Sequence, residues 1–199
     1  RFMNTVAQWY YSIHNGIFSR LQYLDGLAPL AIRLFLAYPF WYAGREKLAG
    51  IENTIQWFGN PDWGLGLPFP AVLAYLAAYT EFFGALLLVI GLATRWISIP
   101  LIVTMLVAIF AVHWDHGWFA IAQSSDPEVA VRVGAARELL QEHGNYSWLT
   151  AKGSFVILQN GIEFAVTYLI MLFSLLFTGG GRYFSVDYYL SQLFPAKAA

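Results

Sequence analysis

Four long apolar stretches, each with few charges, limit what this chain can fold into. They cover approximately residues 27–44, 69–93, 96–114 and 155–178. At about 1.5 Å of rise per helical residue, each stretch comes near the ~30 Å hydrocarbon thickness of a bilayer once tilt and apolar flanks are allowed for. The sequence therefore predicts an all-α fold, a polytopic membrane four-helix bundle that forms a single membrane domain over residues 1–199.

The composition agrees with this class of protein. Hydrophobic residues make up 58% of the chain and charged residues 12%, and the mean hydropathy is +0.53. Soluble domains contain about 25% charged residues. The net charge of −1 offers no basic footprint for nucleic acid, and the absence of cysteine excludes covalent haem and iron–sulfur ligation by this chain.

Two amphipathic segments, residues 1–24 and 126–143, lie outside the apolar stretches. In the first, apolar residues recur every three or four positions, as in a helix lying on a membrane surface; packing against a partner subunit is the alternative. In the second, Asp126 is placed to cap a helix, Pro127 suits its first position and Gly144 suits its end. We therefore predict two interfacial helices.

The basic residues that flank the stretches suggest an orientation. With the N-terminus inside, the inner side carries Arg1, Arg20, Arg95, Arg182 and Lys197, and the outer side carries Arg45, Lys47, Arg132, Arg137 and Lys152. The Lys and Arg counts differ little, and acids weigh little in the positive-inside rule. We predict a multi-pass protein of a bacterial inner (plasma) membrane with both termini in the cytoplasm and the lipid bilayer as its main partner.

Four polar residues, three within these stretches and Lys47 just beyond the first one, fall at similar depths. Lys47, Glu81, His113 and Glu163 lie about 21–27 Å along a helix from the residues at the inner ends of their stretches. A charge in such a segment costs about 2.5–3.5 kcal/mol on insertion scales, so its presence is a functional hypothesis by default. We predict that the four converge as a ligand or proton site under the outer surface; a structural ion-pair network is the alternative.

Other charged residues are secondary candidates. Arg45 and Arg95 flank the stretches, and we interpret Arg33 as a snorkelling residue at the inner face, with contact to a quinone headgroup as the alternative. A further set, His113, Asp115 and His116, has the residue types of a metal site for copper, zinc or iron. For this set, an interfacial hydrogen-bonding cluster and a proton or quinone role for His113 are the alternatives.

Several of these residues stand in motifs that resemble the DoxX family. They are Arg33 at the start of the first stretch, G-R-E-K at 44–47, E-F-F-G-A-L-L-L-V-I-G-L-A-T-R at 81–95, and His113. The resemblance implies a four-helix inner-membrane protein, and several members are linked to oxidoreductase systems such as thiosulfate:quinone oxidoreductase. It therefore implies a redox-linked role.

Three further motifs resemble the HvfX-type branch of that family. They are W-F-G-N-P-D-W-G-L-G-L-P at 57–68, N-G-I-E-F at 160–164 and T-G-G-G-R-Y at 178–183. The branch is associated with the maturation of ribosomally made copper-binding peptides. The resemblance implies an accessory protein for that maturation.

Two classes of function remain after this comparison of motifs. One is the redox-linked accessory protein, and the other is the membrane subunit of a quinone-coupled oxidoreductase acting on sulfur compounds or another small substrate. Export of a metal or small molecule is a third. Quinone and copper are the cofactor candidates, and membrane, periplasmic or cytoplasmic proteins are the candidate partners; whether the chain is itself an enzyme is left open.

Overall fold

The computed structural model describes residues 2–194, with side chains from residue 5 onward. Arg1 and Lys197, used above to orient the chain, lie outside the described residues. Within them the chain is helical and contains no β-strand. The helices are α1 (Phe2–Leu21), α2 (Leu27–Ala49), α3 (Ile51–Gly59), α4 (Pro70–Ile90), α5 (Thr94–Val107), α6 (Pro127–His143), α7 (Tyr146–Leu149), α8 (Glu163–Thr178) and α9 (Val186–Leu193).

Two stretches of helix are long and apolar enough to cross a membrane. One is α4, and the other runs from Thr94 to His116, where α5 continues through a π-helical turn and a 3₁₀ turn. Helix α8 is also apolar but shorter. Helix α2 is not among them, because Arg33, two prolines and several Tyr and Trp residues lower its hydropathy. Of the four predicted spans, length and composition thus support the second and the third.

The fourth apolar stretch differs from its predicted limits. We expected it to cover 155–178, but the helix begins only at Glu163. The preceding residues make backbone hydrogen bonds instead, from Gln159 to the Ala120 carbonyl (3.0 Å) and from Gly161 to the Phe119 carbonyl (2.9 Å). Because these amides already have partners along the chain, the helix cannot extend further toward residue 155.

The described residues form two units. The first comprises residues 2–102 and 171–194, and the second comprises residues 103–170. In the first unit α2 packs along α4, and the buried apolar residues of the two helices include Leu36, Phe40, Ala74, Ala78, Ala85 and Leu88. Small alanines recur on the buried face of α4, which lets the two helices approach closely.

Gly44 lies at a close approach of α2 to α4. A Cβ at this position would lie 2.5 Å from the Phe82 nitrogen and 3.0 Å from the Ala78 carbonyl oxygen. Both neighbours are backbone atoms, so neither can rotate away. Only glycine fits this contact.

Replacing Gly44 with alanine is therefore expected to lower the free energy of unfolding by about 1–3 kcal/mol, the usual cost of overpacking. Gly134→Ala in α6 is the matched control, because nothing lies within 4 Å of its Cβ position. Alanine there should leave stability unchanged or raise it by up to about 1 kcal/mol. Chemical denaturation in detergent micelles measures both; a Gly44→Ala variant as stable as the control would contradict the packing argument.

Arg33 does not snorkel to the membrane surface, so that interpretation is wrong. Its side chain is fully buried and donates hydrogen bonds to four carbonyl oxygens. Two belong to Leu88 (3.0 Å) and Val89 (3.3 Å) at the end of α4, and two to Tyr183 (2.9 Å) and Phe184 (3.2 Å). The last carbonyls of a helix have no partner within it, so the guanidinium satisfies them directly.

Asp187 makes further hydrogen bonds to the turn between α4 and α5. Its carboxylate accepts hydrogen bonds from the backbone N–H groups of Ala93 (2.7 Å) and Thr94 (2.8 Å), where α5 begins. Its own N–H donates to the Gly91 carbonyl (2.9 Å), and Ser185 Oγ donates to the same carbonyl (3.1 Å). The segment after α8 is thereby tied to the turn between α4 and α5.

Candidate functional site

Lys47 and Glu81 form an ion pair in the first unit. Lys47 lies in the last turns of α2 and Glu81 lies near the middle of α4, and Lys47 Nζ is 2.6 Å from Glu81 Oε2. The Glu81 side chain is 7% exposed, whereas that of Lys47 is 26% exposed. The close approach at Gly44, one turn before Lys47, brings the two helices near enough for this contact.

Neither member of the pair uses all of its hydrogen-bonding groups within the described residues. An ammonium group has three N–H donors, and the described residues accept one of them, through Glu81. The second carboxylate oxygen of Glu81 receives no hydrogen bond from the described residues, and it is not fully enclosed. The two free N–H donors of Lys47 can therefore bind a small anion or a carbonyl compound, or the pair can pass a proton between a buried carboxylate and a more accessible amine.

Two aromatic stacks involve residues of α4 on either side of Glu81 in the chain. Trp41 of α2 stacks on Phe82 of α4, with ring centroids 4.5 Å apart and an interplanar angle of 27°. Tyr79 of α4 stacks between Tyr75 and Phe83 at centroid distances of 6.0 and 5.9 Å. Residues two positions from Glu81 lie about 200° around the helix, so this second stack is on another face of α4.

His113 and Glu163 belong to the second unit, and each is held by backbone groups there. His113 Nδ1 lies 2.8 Å from the Asn160 carbonyl oxygen, so it donates to that oxygen and leaves Nε2 free as an acceptor. Glu163 Oε2 accepts a hydrogen bond from the Ala120 N–H (3.0 Å). Asn160 adopts a left-handed backbone (φ 61°), which directs its carbonyl toward the histidine.

The remaining candidates are placed separately. Arg45 is exposed at the end of α2, and Arg95 is exposed at the start of α5. Asp115 and His116 follow His113 in an exposed 3₁₀ turn. Among residues 2–194 no three His, Asp or Glu side chains are grouped to hold a metal ion, so the metal interpretation gains no geometric support and stays a prediction.

Gly44 and Asn160 begin two of the quoted motifs, but the sequence analysis gave no structural role to either of them or to Asp187. Gly44 and Asn160 act through backbone conformation and close approach, and a lone sequence gives no sign of either. Asp187 carried a weak signal, because an acidic residue in the first turn of a short helix after three glycines is typical of a capping position. Its actual partners lie at positions 93 and 94, far away in the sequence.

Comparisons with known proteins show what this segment is similar to. Residues 28–114 match the model of the DoxX family. This match covers less than half of the chain. Within the described residues, two helices are long and apolar enough to cross a membrane, which is consistent with a helical membrane protein. The matched segment contains Lys47, Glu81 and His113.

Two relatives illustrate the match. One is the Bacillus subtilis protein called "Putative oxidoreductase CatD", which is 35% identical over 86 residues, or 43% of this chain and 60% of the relative. The other is an uncharacterized protein of Haemophilus influenzae, 23% identical over 87% of this chain and 90% of the relative. No solved structure matches the chain significantly.

Proposed function

We propose that this chain is a redox-linked accessory protein and that Lys47 and Glu81 form its ligand or proton site. One observation carries the proposal: a nearly buried carboxylate is paired with a partly exposed lysine at 2.6 Å, and within the described residues both side chains keep hydrogen-bonding groups that have no partner. The oxidoreductase name of the Bacillus relative supports the redox link. A role for His113 and Glu163 in ligand or proton binding stays a prediction.

The proposed topology is that of a four-span protein of a bacterial inner membrane with both termini in the cytoplasm. The apolar helices and the match to the DoxX family support it. Single cysteines placed at positions 62 and 138 test it, since the chain has no native cysteine. Both should react with a membrane-impermeant reagent added outside; reaction only in inverted vesicles would refute this orientation.

Within this role, maturation of copper-binding ribosomal peptides is the finer proposal, supported by the motifs at 57–68, 160–164 and 178–183. A quinone-coupled oxidoreductase subunit is the second candidate, favoured by the name of the Bacillus relative. Purification of the tagged chain from host membranes in mild detergent separates the two. A precursor peptide and an iron enzyme among the retained proteins would favour the first, and bound quinone with sulfur-oxidising subunits would favour the second.

The site itself is tested by Glu81→Gln, which keeps the size of the side chain and removes its charge. We expect the oxidoreductase or maturation activity of the purified complex to fall by about 100-fold or more, the lower end of what a positioned proton-transfer group contributes. Glu46→Gln, an exposed acid on α2, is the control and should keep full activity. Unchanged activity of Glu81→Gln at unchanged protein level would refute the proposed site.

A further inference from the structure

The turn between α4 and α5 carries features unrelated to the Lys47–Glu81 pair. Helix α4 ends at Ile90 and α5 begins at Thr94, so a turn between two membrane-crossing helices must lie at a membrane surface. Asp187 binds the residues after α8 to this turn. Arg95 stands over the glycine run 179–181, of which Gly179 and Gly180 are buried and Gly181 is half-buried. The run, Arg95, Arg182 and the neighbouring Trp96 are called here the turn face.

Arg95 is the cation of the turn face that lacks a counterion. It forms no hydrogen bond or ion pair with the described residues, although a guanidinium has five donors. The two nearby acids are already engaged, since Asp25 pairs with Arg182 (2.7 Å) and Asp187 accepts two backbone N–H groups. One positive charge therefore remains unneutralised here.

The glycine run lies directly beside this guanidinium. Arg95 Nε is 3.1 Å from the position that a Cβ would take at Gly179. Gly179 and Gly181 have φ angles of 74° and 73°, a left-handed backbone that favours glycine. Within the described chain, the N–H groups of Gly180, Gly181 and Arg182 make no hydrogen bond. Successive free backbone N–H groups in a left-handed turn commonly bind anions.

A buried hydroxyl gives an independent sign of an unfilled polar site. Thr94 is fully buried, and its Oγ1 has no hydrogen-bond partner in the described structure. This oxygen lies 2.9 Å from the Cβ position of Gly180 and so faces the glycine run. A buried polar atom without a partner is rare and is usually satisfied by a water or a ligand.

We infer that the turn face binds the phosphate group of an anionic phospholipid. Arg95 supplies a charge-assisted donor, the glycine run supplies backbone N–H groups, and a lipid phosphate is the anion present at this depth. Trp96 and Phe184 are each 78% exposed beside the turn, as expected for aromatic residues at the headgroup level. This lipid site is separate from the proposed function and does not depend on it.

The experiment compares Arg95→Gln with Arg45→Gln, which removes another exposed arginine of the same unit. The protein purified in mild detergent is titrated with phosphatidylglycerol, phosphatidylcholine or inorganic phosphate, and binding is followed by native mass spectrometry and by Tm. We expect binding of phosphatidylglycerol over phosphatidylcholine. Arg95→Gln should weaken it about fivefold, in line with one basic residue at a membrane surface, and Arg45→Gln should not.

Arg95→Lys keeps the charge and should retain most of the affinity, which separates loss of the site from loss of the fold. Equal binding of the two lipids, or an equal loss in both glutamine variants, would overturn the inference. A third outcome is that inorganic phosphate saturates the site, that this binding depends on Arg95, and that it prevents lipid binding. This outcome would assign the site to a soluble phosphate and overturn the inference that a lipid supplies the phosphate.

Discussion

Arg33→Ala is expected to lower the free energy of unfolding by at least about 3 kcal/mol, among the larger effects of a single substitution. The substitution leaves the carbonyls of Leu88, Val89, Tyr183 and Phe184 without their shared donor and opens a cavity where a fully buried side chain had been. Unfolding in detergent micelles, followed by tryptophan fluorescence against denaturant, measures the loss.

Two controls define the origin of this effect. Arg45→Ala removes an exposed arginine from the same helix and should change stability by no more than about 0.5 kcal/mol. Arg33→Lys keeps the charge but replaces the planar fork with one nitrogen, which cannot serve four carbonyls, so its stability should be intermediate. If Arg33→Ala were as stable as Arg45→Ala, the hydrogen bonds from Arg33 to the four carbonyls would contribute nothing measurable to the free energy of unfolding.

The sequence predicts the helical part of this fold well and its irregular part poorly. A long apolar run has one stable solution in a bilayer, because an isolated helix satisfies every internal backbone group itself. That reasoning applies directly to α4 and α5. It does not apply to residues 157–162, which the prediction placed in the fourth apolar stretch but which make backbone hydrogen bonds to residues 117–122. Their hydrogen bonds depend on a second segment that no local pattern identifies.

Arg33 shows a second limit of prediction from the sequence. An arginine six residues into an apolar stretch is compatible with a side chain that reaches outward to water and with one that reaches inward to carbonyls. The choice depends on Tyr183 and Phe184, which lie 150 and 151 residues away in the chain. The pairing of Lys47 with Glu81 was easier to anticipate, because a buried charge at a known depth requires an opposite charge at the same depth.

The Lys47–Glu81 pair should respond asymmetrically to the loss of one member. Lys47→Met leaves a carboxylate that is 7% exposed without its counterion, and breaking a buried pair in this way costs about 3–5 kcal/mol. Glu81→Met leaves an amine that is 26% exposed and can turn toward water, so the loss of stability should be smaller. Methionine matches both side chains in length and adds no charge.

The double variant Lys47→Met/Glu81→Met decides between a structural pair and a working site. Replacing both members of a buried pair with apolar residues of similar volume is often neutral, so the double variant should unfold near the wild-type midpoint and be more stable than Lys47→Met. Denaturation of the four proteins gives the coupling free energy, and activity is measured on the same samples. A stable double variant without activity would show that the pair is retained for its chemistry, whereas full activity would show that it serves only to join α2 to α4.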